Sequence, residues 1–313
     1  MGSVAGVRAE RNEHHEPIWD FRLRTKRAFL TADATVTIGL LHPGEMGSSI
    51  GAGARASAVR VIWASDERSD ATCTRAEADG FEDVAWLNAI VNQSQIIVSV
   101  CPPEFATEVA SEVHALGFRG TYVDANAIAP MTSRDIAQIV ARNGGNYVDG
   151  GIIGPPARQL GTTRMYLSGD SAPFVSQFFD KGDLEVICID GGAGAASALK
   201  MAYAAWTKGT SALLANIHAL ALAEGVHDDL MNEWRQSQIE LIKRSDEGLS
   251  SAAMKAWRFV AEMDEIASTF EGNGLPDGFH TAAADVYRRL ADFKGHSNAP
   301  GGVELAQYLL RRS

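Results

Sequence analysis

The 313-residue chain has no surplus of basic residues: 28 Lys plus Arg stand against 39 Asp plus Glu, a formal net charge of -11. Such a chain repels a phosphate backbone or an anionic bilayer unless basic residues are segregated into a patch, and no basic run is present. Nucleic acid and membrane are therefore not expected partners. Cysteine is scarce as well. Cys73, Cys101 and Cys188 are odd in number and scattered, without the C-x-x-C spacing of a zinc or redox site, which predicts a reducing compartment and no bound metal. No apolar run approaches the roughly 18 residues of a transmembrane helix, and the N-terminus lacks the apolar core of a signal peptide. The expected location is the cytoplasm. Internal repeats and low-complexity segments are also missing.

What is there is globular material, 46% hydrophobic and 21% charged, in a chain long enough for about two domains. Residues 1–33 mix both charge signs without a periodic apolar pattern and read as a loosely packed extension, so the adjacent His14 and His15 are set aside. From Ala34 short β-branched runs alternate with amphipathic stretches. Strands are predicted at Thr35–Leu41, Ala58–Trp63, Gln95–Val100, Arg119–Val123, Asn146–Ile153, Thr162–Ser168 and Leu184–Ile189. Helices are predicted between them at 45–55, 75–79, 84–91, 104–116, 133–143 and 174–179. This alternation defines a doubly wound parallel sheet over 34–190. After Asp190 the strand signals stop. A long Ala/Leu-rich helix at Ala195–Glu224 leads into helices at Asp228–Ser245, Ser251–Phe270, Gly278–Phe293 and Val303–Arg312, an all-helical second domain over 191–313. Met254, Trp257, Met263 and Ile266 read as one core stripe.

The first predicted strand runs into His42-Pro43-Gly44-Glu45-Met46-Gly47 and then a helix. Such a turn aims backbone N–H groups and a positive helix end at one spot, which suits a pyrophosphate. The dinucleotide fingerprint G-x-G-x-x-G has His42 in place of its first glycine, while Gly44 and Gly47 are kept. A ribose is expected at the end of the second strand, in Ala64-Ser65-Asp66-Glu67-Arg68-Ser69. Asp66 or Glu67 there favours NAD. Ser65, Arg68 and Ser69 favour the 2′-phosphate of NADP, to which the reading leans slightly.

These segments, with Val98–Pro103, Asp124-Ala125-Asn126 and the G-A-A-S-A-L-K run ending at Lys200, resemble the β-hydroxyacid dehydrogenases. That superfamily includes 3-hydroxyisobutyrate and 6-phosphogluconate dehydrogenases and the related imine reductases. The likeness is greatest to a branch whose C-terminal domain is the domain of unknown function DUF1932, and it spans about residues 35 to 295. The resemblance implies a Rossmann-type domain followed by an all-α domain, a cleft at their junction, and a homodimer through the helical domain. It places the pyrophosphate on His42, Pro43, Gly44, Glu45 and Met46, sets Val100, Cys101 and Pro102 against the cofactor, and puts Asn126 near the nicotinamide. It also implies that Lys200 is the catalytic lysine. Substrate contacts fall to Asn126, Ile153, Tyr203 and Trp206. Two departures stand out: the serine of the family's substrate motif is Ile153, and the asparagine one turn beyond the lysine is Ala204. Both point away from ordinary short 3-hydroxy acids.

Hydride transfer requires a group that moves a proton to or from the substrate heteroatom. Lys200, beside apolar Ile153, Met201 and Trp206, loses hydration and gains a lowered pKa. Tyr203, three residues on, shares its helical face and can orient it or relay its proton, so Lys200 and Tyr203 are the expected catalytic residues. Lys208 reads as solvated, His218 as a satisfied core histidine, and Arg158 and Arg164 as minor candidates for an anion contact. His280 and His296 have no assigned role. The expected activity is an NAD(P)-dependent oxidoreductase acting on a small-molecule alcohol, ketone or imine. The alternative is a non-catalytic nucleotide-binding or scaffolding protein that kept the fold.

Overall fold

Residues 37–40 are a run of four buried residues, too short for a helix and apolar enough to lie inside a sheet covered on both faces. In the computed structural model, which describes residues 36–296 and 300–312, they form the strand β1 (Thr37–Leu40). The chain continues through α1 (Glu45–Ala56), β2 (Arg60–Trp63), α2 (Asp70–Ala78), β3 (Glu82–Asp83), α3 (Leu87–Gln93) and β4 (Ile96–Ser99). Next come α4 (Ala106–Ala115), β5 (Thr121–Asp124), α5 (Pro130–Ala141), β6 (Asn146–Ile153), β7 (Thr163–Ser168), α6 (Ala172–Ser176) and β8 (Leu184–Cys188). Six helices complete it: α7 (Ala195–Ala223), α8 (His227–Ser237), α9 (Ile239–Met254), α10 (Ala256–Glu271), α11 (Gly278–Leu290) and α12 (Gly302–Arg311). The extension 1–33 and the predicted strand start at Thr35 lie outside the described residues.

The eight strands form one sheet in the order β3-β2-β1-β4-β5-β6-β7-β8. Strands β1 to β6 are parallel, whereas β7 pairs antiparallel with β6, from Asp149 opposite Ser168 to Ile153 opposite Arg164, and β8 runs parallel to β7. The sheet is thus mostly parallel. Its order reverses between β1 and β4, which opens a crevice at their carboxyl ends.

Alternation along the strands feeds two cores, one on each face. Ile96 and Val98 of β4 join Ile38, Leu40, Ile50, Val61 and Met165, while Ile97 joins Ile90, Tyr122, Ile128 and Ile136 on the opposite side. A third core, around Met201, Leu214, Leu249, Met263, Tyr287, Leu290 and Leu309, holds the helices together. Alanines let α7 run through its centre, with Ala204, Ala212 and Ala215 buried where larger side chains would hold α10, α11 and α12 away. All described residues fall in one compact unit.

Several boundaries differ from the sequence expectation. The predicted helix Asp228–Ser245 is two helices broken at Gln238, whose backbone leaves the helical region at φ -143° and ψ 52°. A second break at Lys255 interrupts the stretch predicted as Ser251–Phe270 and turns Trp257 to the surface, where the Lys294 ammonium sits 4.0 Å from its ring centre. Only Met263 and Ile266 of the expected stripe reach full burial. The helix expected from Arg75 begins at Asp70 instead, because the Ser69 hydroxyl accepts from Thr72 N and caps it. The two-residue β3 carries charged side chains and no apolar pattern to reveal it.

Candidate functional site

The crevice between β1 and β4 opens on the turn His42–Gly47. The Gly44 amide donates to the His42 carbonyl at 2.8 Å, and no side chain caps the start of α1. A Cβ at Gly47 would lie 2.1 Å from the His42 carbonyl oxygen, so only glycine allows the helix to begin this close to the turn. Gly44 is exposed, and nothing lies within 4 Å of where its Cβ would be. From α2, the Arg75 guanidinium donates to the Pro43 carbonyl at 3.0 Å and braces the turn from outside. The His42 ring is held neutral: burial, and then the charge of Arg68, lower its pKa to about 4. Its Nδ1 is buried without a partner among the described residues.

At the end of β2 the loop is shaped by Asp83, whose carboxylate accepts from the amides of Ser65 at 3.1 Å and Ala85 at 2.8 Å. Asp66, Glu67 and Arg68 are exposed. Ser69 is occupied as the cap of α2, while the Arg68 charge acts on both His42 and Cys101, across the mouth of the crevice.

Asn126, buried at 3% exposure, ties the ends of β4 and β5 together. Its Oδ1 accepts from the Cys101 amide at 2.6 Å and its Nδ2 donates to the Ser99 hydroxyl at 3.2 Å. Val100 and Cys101 are half-buried and Pro102 is exposed. Cys101 is no nucleophile, since burial and the neighbouring Asp124 push its thiol up to about 12. Burial likewise raises the Asp124 carboxyl to about 7, with Asp149 on the next strand adding to the rise.

Lys200 is delivered by the contact between β6 and α7. Asp149, fully buried, accepts from Ser197 N at 2.9 Å, Ser197 Oγ at 2.6 Å, Ser133 Oγ at 3.0 Å and Ser168 Oγ at 3.4 Å. This carboxylate sits on the first turn of α7, where the helix end is positive. Two residues along β6, a Cβ at Gly151 would come 2.6 Å from the Ala196 carbonyl oxygen and 3.1 Å from Lys200 Cβ, so the missing side chain is what brings the helix onto the strand. One turn beyond Ser197, Lys200 Nζ donates to the Ile152 carbonyl at 2.7 Å. Burial lowers its pKa to about 8, with Lys208 and Arg258 lowering it further and Glu262 opposing them.

The other predicted contacts are distributed around this lysine. Ile153 is buried at the end of β6, whereas Tyr203 and Trp206 on α7 are 48% and 65% exposed. The Tyr203 hydroxyl has no hydrogen bond to Lys200 among the described residues; its carbonyl accepts from Thr207. Arg158 is committed elsewhere, in a two-point ion pair with Asp79 at 2.7 Å braced by Ser48. His218 is a buried core residue in contact with His227 at 3.0 Å. Lys208 is not solvated: its ammonium pairs with Glu262 at 2.8 Å, with the two side chains 12% and 13% exposed, and lies 5.0 Å from the Phe259 ring centre.

Sequence reasoning missed the contribution of α10. Glu262 pairs with Lys208 and its charge acts on Lys200, and Glu265 accepts from the Ala129 amide and from Thr132 Oγ1 at the start of α5. The available signal was the pair of carboxylates three residues apart, flanking the apolar Met263 and Ile266, which places charge at the edge of a buried face. No cluster of three or more metal-ligating side chains occurs among the described residues. None of their helices is long and apolar enough to cross a membrane.

Residues 221–290 match a family model described as a domain of unknown function, DUF1932. A conserved protein of unknown function, described as structurally similar to 3-hydroxyacid dehydrogenases, superposes with a TM-score of 0.62 at 25% identity, over 82% of this chain and 98% of that one. The 3-hydroxyisobutyrate dehydrogenase of Mycobacterium tuberculosis shares the fold, with a TM-score of 0.62 at 16% identity over 88% and 99% of the two chains. An uncharacterised 28.5 kDa protein of Methanothermus fervidus is 25% identical over 233 residues, 73% of this chain and 90% of its own. The chain shares the fold of this 3-hydroxyisobutyrate dehydrogenase, with the DUF1932 match lying among its C-terminal helices.

Proposed function

We propose that the chain is an NAD(P)-dependent oxidoreductase that moves a hydride between a nicotinamide and a small-molecule alcohol, ketone or imine, with Lys200 as the proton-transfer residue. The observation that carries this reading is the delivery of a half-buried lysine of lowered pKa, by the Asp149 and Gly151 contacts, to the carboxyl edge of a sheet whose β1 turn is open for a dinucleotide. The residues present fit the cofactor. The uncapped start of α1 and the open space over Gly44 suit a pyrophosphate held by His42, Pro43, Gly44, Glu45 and Met46. Arg68 and Ser65 suit an adenosine 2′-phosphate, which favours NADP. Val100, Cys101, Pro102 and Asn126 line the adjoining edge of β4 and β5. The bound nicotinamide supplies hydride chemistry.

The protein's own residues account for the proton. Near neutral pH Lys200 is poised to give a proton to the oxygen of a ketone or the nitrogen of an imine as hydride reaches carbon, and to take one from a hydroxyl during oxidation. The Ile152 carbonyl holds Nζ in either state, because a neutral amine and an ammonium both donate to it. Buried Ile153 and exposed Tyr203 and Trp206 are assigned to the substrate side together with Asn126. The exposed apolar residues of α7 and α11, including Trp206, Leu213 and Phe279, further support a homodimer.

The test is a titration with NADH and NADPH read by nicotinamide fluorescence, followed by a substrate screen. Lys200→Ala should bind cofactor as the native protein does and lose turnover. Binding of neither cofactor at millimolar concentration would overturn the reading, and binding without turnover on any alcohol, ketone or imine would favour the non-catalytic alternative.

A further inference from the structure

We propose that Lys208 and Glu262 form the positioning pair for Lys200, a matched couple that occupies the Glu262 carboxylate and leaves the Lys200 amine with an uncharged partner. The inference rests on the assignment of Lys200 above, but its test does not require turnover.

Two lysines of α7, eight residues apart, have different partners, and the charges of both, with that of Arg258, act on the Glu262 carboxylate. Glu262 on α10 is taken by Lys208 at 2.8 Å, while Lys200 has no ion pair among the described residues and donates to the Ile152 carbonyl at 2.7 Å. The Phe259 ring supports the pair from one side, with the Lys208 ammonium 5.0 Å and the Arg258 guanidinium 5.5 Å from its centre. The Tyr287 hydroxyl fixes the Lys208 backbone by donating to its carbonyl at 2.7 Å.

The consequence follows from charge. A lone carboxylate beside Lys200 would form a direct ion pair, raise the lysine's proton affinity and remove it as a base at neutral pH. A lysine with no carboxylate in range would face Lys208 and Arg258 unopposed and give up its proton too early to act as an acid. The groups acting on Lys200 are Lys208 on its own helix and Glu262 and Arg258 on α10, while the partner from β6 is the neutral Ile152 carbonyl. Asp149, the remaining carboxylate on β6, is engaged by serines. The Lys208–Glu262 pair is therefore the adjustable element, and its two halves push Lys200 in opposite directions.

That opposition gives a test by sign. The probe is reductive methylation with formaldehyde and cyanoborohydride, followed by peptide mass spectrometry for Lys200. Each variant is normalised to its own rate at high pH, where the amine is neutral throughout. Glu262→Gln removes the anion and leaves Lys208 positive, so labelling of Lys200 at pH 7 should rise by about fivefold, about half of the ceiling that a starting pKa of about 8 allows. Lys208→Met frees the Glu262 carboxylate to pair with Lys200 and should lower it by about tenfold. Lys208→Arg, which keeps the charge, should behave as the native protein does. If Glu262→Gln does not fold, Lys208→Met and Lys208→Arg carry the test together. Shifts of the same sign, no shift, or an effect of Lys208→Arg equal to that of Lys208→Met would overturn the proposal. A purely structural role would lower stability without moving the labelling profile. Failure of cofactor binding would sink the oxidoreductase reading and leave this measurement standing.

Discussion

Replacing Asp149 with alanine removes the group on which the candidate site hangs, and the cost can be worked out from its partners. The carboxylate accepts from Ser197 N, Ser197 Oγ, Ser133 Oγ and Ser168 Oγ, all beyond the reach of solvent. Two of these donors have other partners. Ser168 Oγ also contacts the Gly192 carbonyl at 3.0 Å and receives the Ala196 amide at 3.1 Å, and Ser133 Oγ shares a hydrogen bond with the Tyr147 hydroxyl at 2.9 Å. The orphans in Asp149→Ala are the Ser197 amide and the Ser197 hydroxyl. Two unsatisfied buried donors cost about 2–6 kcal/mol, offset in part by no longer burying a charge. The expected net loss is about 3 kcal/mol. Asp149→Asn keeps one carbonyl oxygen and should lose about 1 kcal/mol. Urea unfolding should show the midpoint falling in that order with an unchanged slope. Lys200 should then label faster, since the first turn of α7 loosens from β6. An Asp149→Ala loss below about 1 kcal/mol, or one smaller than that of Asp149→Asn, would refute the argument that this carboxylate anchors the helix.

Gly47→Ala forces a Cβ to within 2.1 Å of the His42 carbonyl oxygen, so it should cost about 1–3 kcal/mol and abolish dinucleotide binding by fluorescence titration; native-like affinity would show that the turn is not the pyrophosphate site. Arg68→Ala should weaken NADPH far more than NADH, by about tenfold, and equal weakening would remove Arg68 from the 2′-phosphate. Asp124 keeps a proton in the fold up to about pH 7 that the unfolded chain gives up near pH 3.8, so its contribution to stability is full at low pH and is lost as the pH rises through 7. Asp124→Asn should remove that loss, gaining on the native protein between pH 4 and 8 in denaturation series. His42 works in the opposite sense, its stability contribution being lost as the pH falls from 6.5 through about 4, so His42→Gln should flatten the acid limb.

The alternating texture of residues 34–190 and the long alanine-rich helix were legible because strand burial and helix propensity are local properties. β6 spans Asn146–Ile153 in the structure as its own residues predict, and α7 begins at Ala195. The His42–Gly47 turn could be read the same way, since two glycines at fixed spacing between a strand and a helix need no distant partner to show their purpose. Breaks such as Gln238 and Lys255 were not legible. No proline or glycine marks them, and the packing of α9 against α7 and α12 decides where the helices end. The reversed direction of β7 was hidden as well, for a buried strand has the same apolar pattern either way round.

The site shows the same division more sharply. That Lys200 follows a glycine-rich segment on a helix is a fact of sequence. That Asp149 seats this helix, that Gly151 admits it, and that Lys208 is paired with a glutamate 54 residues away are facts of the fold. Sequence alone determined the order of elements and the types of residue available for chemistry, because those depend on neighbours a few positions apart. Only the tertiary structure decided which charges are paired and which amine is left to titrate, because desolvation and Coulomb interaction depend on distance through space.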